Sequence, residues 1–177
     1  ENIQSRVRAL LLMAISNKFG NMLISTSNKS ESAVGYSTLY GDMSGGFAPL
    51  KDVWKTDVIA LCNWRNKNLP KISKFQEIDI IPKNIISKPP TAELRENQKD
   101  SDSLPEYDQL DKILALAIED MKSEEEIIAL GYDQKIVIKV LSLLRNSEYK
   151  RFQSPPGPKL GKKAFGRDRM YPLTNKF

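Results

Sequence analysis

The order of residues 21–36 constrains the fold more than any other stretch. Met22-Leu23-Ile24 is a short apolar run, Ser25 to Tyr36 reads STSNKSESAVGY, and apolar character returns at Ala33-Val34. A buried strand that spills into a polar turn and reopens as a helix is half of an α/β unit, whose ligands gather at the strand's carboxyl end. Upstream, Ile3, Val7, Leu10, Leu11, Ala14 and Ile15 recur at helical spacing. That spacing predicts an amphipathic helix from Ile3 to about Lys18, closed by Gly20.

Downstream the pattern is mainly helical. Tyr40 to Leu50, YGDMSGGFAPL, is a loop by its glycines and small residues. Asp52 is placed to cap a helix from about Val53 through Asn66, with Val58, Leu61 and Cys62 inward. A short helix falls between Ile80 and Pro90, ended by Lys88-Pro89-Pro90, and residues 91–106 are polar, turn-prone and expected to be mobile. Tyr107 to Met121 sets Leu110, Ile113, Leu114 and Ala117 on one face. Ser123-Glu124-Glu125-Glu126 is a capping box opening a short helix stopped by Gly131. Asp133 to Asn146 carries Ile136, Val137, Val140, Leu141 and Leu144. From about residue 147, Pro155-Pro156-Gly157-Pro158 excludes regular structure and predicts a tail wrapped over a surface. No internal repeat is present, and one strand among many helices reads as an incomplete α/β domain.

Composition removes several function classes. A chain of 177 residues has room for one domain with a core, and no apolar run is long enough to span a membrane. Cys62 is the sole cysteine, which excludes a disulfide framework and fits a reducing cytoplasm. Histidine is absent, so Ser-His-Asp and Cys-His triads are excluded and catalysis falls to carboxylates, lysine, arginine and backbone amides. The first residue is Glu1 and no signal-peptide pattern follows, which we read as a piece of something longer. The net charge of +5 is uneven: Lys150, Arg151, Lys159, Lys162, Lys163, Arg167, Arg169 and Lys176 face only Glu148 and Asp168 beyond Arg145. Such a tail suits a polyanion, either nucleic acid or a phosphorylated small molecule. Phe152, Phe165, Tyr171 and Phe177 form no single-strand stacking motif, so nucleic acid is the disfavoured partner.

Three places carry candidate chemistry. Asn28 and Glu31 have capping-box spacing, which by itself explains both residues. Thr26, Ser27 and Asn28 also offer hydroxyl, amide and N–H groups at a helix N-terminus, where anions are favoured, and Glu31 would tolerate phosphate across a Mg²⁺ ion. Asp42 lies between Gly41 and the Gly45-Gly46 pair, where backbone can approach a ligand; an Asx-turn explains it equally well. Lys55 opposes the dipole of its helix's first turn, which points to an anion in front of it, although most such lysines are surface residues.

Taken together, SNKSESAVGYSTLYGDMSGGFAPLKDVWKTD, KPPTAELRENQKDSDSLPEYDQLD, EYKRFQSPPGPK and AFGRDRMYPLTN closely resemble the synthetase domain of NAD⁺ synthetases, nearest to the glutamine-dependent branch. The likeness covers nearly the whole chain. It implies an incomplete Rossmann-like (adenine nucleotide alpha-hydrolase-like) parallel sheet with many helices and an irregular C-terminal tail. It also implies ATP-dependent amidation of deamido-NAD⁺ through an adenylate, with ATP and Mg²⁺ as cofactors and ammonia from a glutaminase domain. By matching position, Glu31 is the Mg²⁺ ligand at the ATP phosphates, and Thr26, Lys55 and Thr91 contact ATP. Asp42 and the pair Lys150 and Arg151 contact deamido-NAD⁺. Asn2, Arg6 and Arg8 lie on a helix used for homo-oligomer contacts and near deamido-NAD⁺, and Lys29 matches a family lysine without an assigned contact.

Two departures from the family pattern stand out. Ser25 and Ser27 replace the glycines of Gly-Thr-Gly-Asn-Lys-Ser-Glu; serine restricts positive φ, which predicts a strained or shifted turn. The phosphate loop Ser-Gly-Gly-x-Asp-Ser occurs nowhere in the chain. The expectation is therefore the C-terminal part of a synthetase domain, inactive alone. The competing reading is a non-catalytic remnant that dimerises or binds nucleotide. Cys62, on an apolar helix face, is expected in the core.

Overall fold

The computed structural model describes residues 1–92, 94, 96 and 98–174. Glu93, Arg95 and Asn97 of the turn-prone segment, and Lys176 of the basic tail, lie outside them. Eight α-helices run in chain order among the described residues: α1 Asn2–Phe19, α2 Lys29–Val34, α3 Lys55–Lys67, α4 Lys83–Ser87, α5 Tyr107–Ile118, α6 Glu124–Ala129, α7 Gln134–Asn146 and α8 Glu148–Arg151. A 3-10 turn, Asp100–Asp102, precedes α5.

The core forms where the apolar periodicity is cleanest. Leu110, Ile113, Leu114, Ala117 and Ile118 of α5 meet Val137, Val140, Leu141 and Leu144 of α7. Ile127 of α6 and Ala33 and Val34 of α2 close the cluster, and Phe165 of the tail enters it. Three of the helix starts, those of α2, α6 and α7, carry a side-chain cap. The Ser123 hydroxyl accepts from the Glu126 amide and the Glu126 carboxylate accepts from the Ser123 amide, the reciprocal box that opens α6. Asp133 caps α7 by accepting from the Ile136 amide at 3.0 Å. Gly20 ends α1 in the left-handed conformation that a glycine adopts without steric penalty.

Several expectations are corrected. No named strand occurs among the described residues. Met22-Leu23-Ile24 makes one parallel bridge, Ile24 to Phe47, and Met22 is 67 % exposed. The triplet pairs with a single neighbouring segment, so no layer is present to bury it. α1 likewise buries only Ser5 and Ala9, while Ile3, Leu10, Leu11, Ile15 and Phe19 face outward. α3 starts at Lys55 behind Trp54 without a side-chain cap and contributes no buried residue; Leu61 is exposed and Cys62 only half-buried. Asp52 is not its cap, because Asp52 is drawn into a buried ion cluster described below. The 3-10 turn and α8 both fall in stretches expected to lack regular structure, and Asp100 and Leu104 are buried.

Beyond α8 the chain passes over the surface in irregular conformation. The Ala48 amide donates to Pro156 O at 2.9 Å and Lys51 Nζ to Pro155 O at 2.8 Å. Gly157 presses so close to Ala48 O that a Cβ would sit 2.4 Å from it. Glycine is therefore required at that contact.

Candidate functional site

α2 is six residues long and carries Glu31, so its placement decides the site. Two buried cations hold its ends. At the N-terminal end Lys29, fully buried, sets Nζ 2.8 Å from both Asp52 Oδ1 and Glu119 Oε1 and donates to Lys163 O at 2.9 Å. Its ammonium also lies 4.7 Å from the Trp54 ring centroid. Asp52 Oδ2 in turn accepts from the Leu160 and Gly161 amides, each at 2.7 Å, which ties the tail to this point. At the other end Arg151 donates to Ala33 O at 2.7 Å and to Leu144 O at 2.6 Å, pairs with Glu148 at 2.9 Å, and packs on Phe165 and Tyr171. Gly35, at φ 66, ends α2 and admits the close packing of Ser147.

Within this frame the Asn28 side chain accepts from the Glu31 amide at 2.9 Å, and the Glu31 carboxylate accepts from the Asn28 amide through Oε2 at 3.3 Å. The other oxygen, Oε1, faces Lys55 Nζ at 3.1 Å. Glu31 is thus both the capping carboxylate and the anion that the position of Lys55 called for. The Lys29 amide donates to Val53 O and the Lys55 amide to the Ser30 hydroxyl, so α2 and the start of α3 are stitched together beside this pair. Asp111 of α5 accepts from Ser30 and from the Thr56 amide and hydroxyl. Burial pushes the Asp111 carboxyl above its ordinary pKa, and the hydrogen bonds from Ser30 and Thr56 pull it partly back.

A cleft of about 520 Å³ opens in front of Glu31. Asn2, Thr26, Glu31, Asp42, Lys55, Thr91 and Lys150 all line it. These residues come from α1, the turn before α2, α2 itself, the following loop, α3, the segment after α4, and α8. Asp42 Oδ1 accepts from the Thr38 amide at 2.8 Å and the Ser5 hydroxyl at 3.1 Å, while the Thr38 hydroxyl donates to Asn2 Oδ1 at 3.0 Å. Asn2 and Asp42 therefore belong to one hydrogen-bonded wall, which Ser5 and Thr38 complete. Lys150 Nζ donates to Gly35 O and Ser37 O; burial lowers its pKa and the nearby Asp42 carboxylate opposes that shift. Arg6 does not line the cleft and instead donates to Leu39 O at 3.1 Å. Arg151 is also absent from its lining, being committed to the carbonyls of Ala33 and Leu144.

The turn carrying Thr26 needs no glycine. Ser25 and Ser27 both lie outside the positive-φ residues, so the predicted strain does not arise. The Ser25 amide donates to Phe47 O at 2.9 Å and its hydroxyl to Asp42 O at 3.2 Å. Glu31 by itself does not make a magnesium site. Its oxygens are engaged by Lys55 and the Asn28 amide, and among the described residues no group of three or more His, Cys, Asp or Glu side chains is placed to hold a metal ion. Sequence reasoning missed the contacts of Lys29, the Asp111 node and the buried pair of Asp100 and Tyr107. Only Lys29 and Ser30 carried any signal, as members of the NKSE block.

A mixed cleft of this kind, with lysines beside hydroxyl, amide and carboxylate groups, suits a ligand that joins phosphate to a polyol or heterocycle. The comparisons define the class further. The family described as NAD synthase matches residues 1–154, and the chain belongs to that family. It is 55 % identical over 177 residues to the glutamine-dependent NAD(+) synthetase of Rhodobacter capsulatus, covering 100 % of this chain and 32 % of that protein. The crystal structure of a glutamine-dependent NAD(+) synthetase from Cytophaga hutchinsonii superposes with a TM-score of 0.74 at 26 % identity, over 98 % of this chain and 28 % of that one. An NMN synthetase from Francisella tularensis superposes with a TM-score of 0.65 at 26 % identity, over 90 % and 56 % respectively. The chain spans about a third of the length of the curated relatives it matches.

Proposed function

We propose that this chain forms one wall of an NAD⁺ synthetase active site, facing ATP and deamido-NAD⁺. The supporting observation is the convergence of Asn2, Thr26, Glu31, Asp42, Lys55, Thr91 and Lys150 on one cleft. In the reaction a nicotinate carboxylate oxygen attacks the α-phosphorus of ATP and pyrophosphate leaves. Ammonia then adds to the acyl carbon and AMP leaves, giving the carboxamide. Both steps need charge neutralisation and alignment more than proton transfer by histidine, which this chain lacks.

Lys55, held at the cleft by Glu31, addresses the ATP phosphates, with Thr26 and Thr91 beside it. Asn2, Asp42 and Lys150 form the deamido-NAD⁺ side. Arg6 and Arg151 act from outside the cleft, Arg6 on the loop at Leu39 and Arg151 on the end of α2. Glu31 would hold Mg²⁺ at the ATP phosphates only if its ion pair with Lys55 opens. The glutamine dependence of the relatives supports ammonia drawn from glutamine by a portion that this chain does not span, and we place the reaction in the cytoplasm. In this reading the bridge at Ile24 is one edge of a parallel, Rossmann-like sheet completed by that portion. The outward apolar face of α1 is covered by a second copy.

The alternative is a remnant that binds nucleotide without turning over, and the same wall of hydrogen bonds favours it equally. A steady-state assay with ATP, deamido-NAD⁺ and ammonia separates the two. The 177-residue chain by itself is expected to give no turnover, and addition of the remaining synthetase portion in trans is expected to restore it. Turnover by the chain alone would refute the partial-wall reading. Failure of the mixture, with nucleotide binding intact, would favour the remnant.

A further inference from the structure

Asp100 is 4 % exposed and lines the same cleft. Its backbone amide donates to Pro90 O at 3.0 Å, which closes the neck of the segment between α4 and α5 and sets Asp100 and Thr91 side by side in the chain's approach to the cleft. One carboxylate oxygen, Oδ2, accepts from the Tyr107 hydroxyl at 2.7 Å. The other, Oδ1, is buried and has no hydrogen-bond partner among the described residues. A buried acceptor left unmade is unfavourable, and such atoms in native folds are commonly completed by a ligand.

The chemistry of that ligand group follows from the neighbours. A carboxylate offers only acceptor sites, so it requires a donor and repels phosphate oxygens. Tyr107, which anchors Asp100, also packs its ring 5.5 Å from Lys55 Nζ, so one side chain touches both the carboxylate and the cation proposed to face phosphate. In a nucleotide the donor nearest the phosphates is a ribose hydroxyl, and carboxylates read ribose hydroxyls in other nucleotide-binding folds. We infer that Asp100 is a sugar-reading residue, whose free Oδ1 accepts a hydrogen bond from a ribose hydroxyl of the nucleotide bound in this cleft. This assignment rests on the nucleotide reading of the cleft proposed above.

Calorimetric titration of the 177-residue chain with ATP, 2′-deoxyATP and 3′-deoxyATP tests it. The unaltered chain should bind ATP about tenfold more tightly than one of the two deoxy analogues, the size expected for a hydrogen bond to a charged acceptor. Asp100→Ala should bind ATP about tenfold more weakly and no longer distinguish that analogue. Asp100→Asn, which keeps an acceptor oxygen, should fall between them. ATP affinity unchanged in Asp100→Ala overturns the assignment alone, as does an equal loss for ATP and both analogues, which is the signature of a disturbed Tyr107 contact. Absence of ATP binding by the unaltered chain overturns the nucleotide cleft itself and this inference with it. Circular dichroism of each variant keeps misfolding apart from loss of contact.

Discussion

Lys29 and Lys55, one on α2 and one at the start of α3, behave very differently. The Lys29 ammonium is fully buried between Asp52 and Glu119, whereas Lys55 pairs with Glu31 at about one-fifth exposure on each side. Removing one member of a buried ion cluster strands the others without solvent, while a half-wet pair contributes little. Lys29→Met is therefore expected to destabilise the chain by about 3 kcal/mol. Lys55→Met should change stability by about 0.5 kcal/mol. Urea unfolding followed by circular dichroism measures both, and equal losses would show that the cluster is not desolvated as described. Tyr107 gives a second test at this scale. Burial, the nearby Glu31 carboxylate and the hydrogen bond to Asp100 all raise its phenol pKa well above the ordinary value. The folded state then retains a proton that the unfolded state releases above about pH 10. Its stabilisation is complete below that pH and declines as pH rises further. The urea midpoint should fall above pH 10, and it should fall less steeply in Tyr107→Phe.

At the scale of elements, α2 is too short to persist by itself: a six-residue helix cannot offset its nucleation. It exists because the Asn28–Glu31 box fixes its first turn, Lys29 and Arg151 hold its two ends, and Ala33 and Val34 are buried. Its N-terminal amides are correspondingly committed. Lys29 N–H goes to Val53 and Glu31 N–H to Asn28, which leaves neither amide for a ligand. Asn28→Ala should reduce stability by about 1 kcal/mol, the usual worth of a helix N-cap. It should also weaken ATP binding, because the Glu31 amide loses its side-chain acceptor and the first turn that positions Glu31 loosens. A variant that loses stability but binds ATP normally would separate the cap from the site. Both quantities come from urea unfolding and calorimetry on the same preparation.

For the whole molecule, the balance of buried and exposed apolar surface is uneven. The α2–α5–α6–α7 cluster is closed, whereas Ile3 at 76 % and Leu10 at 69 % exposure leave α1 presenting an apolar face. Such a face on a helix that contributes only Ser5 and Ala9 to its own fold fits a contact between copies. Sedimentation velocity at micromolar concentration should show a dimer, and Leu10→Asp should convert it to monomer without altering the α5–α7 core. A monomer at all concentrations would remove the contact from the proposal.

What the sequence by itself determined is local. The boxes at Asn28 and Ser123, the stop at Gly20 and the apolar stripes of α5 and α7 depend on partners three or four residues away, so their spacing can be read directly. The local pattern raised Thr26, Glu31, Asp42 and Lys55, and the family resemblance added Asn2, Arg8, Thr91 and Lys150, all of which line the cleft. Tertiary structure alone decided the rest. The partners of Lys29 lie 90 and 134 residues along the chain at Glu119 and Lys163, a separation that leaves no periodic mark. Asp52 looked like a cap because a carboxylate before a helix is a local signal, but two tail amides and a buried ammonium compete more strongly for it. The stripe of α1 and the triplet Met22-Leu23-Ile24 fixed where apolar side chains point. Whether anything lies against them is decided by the packing of distant elements, and within the described residues those faces remain open.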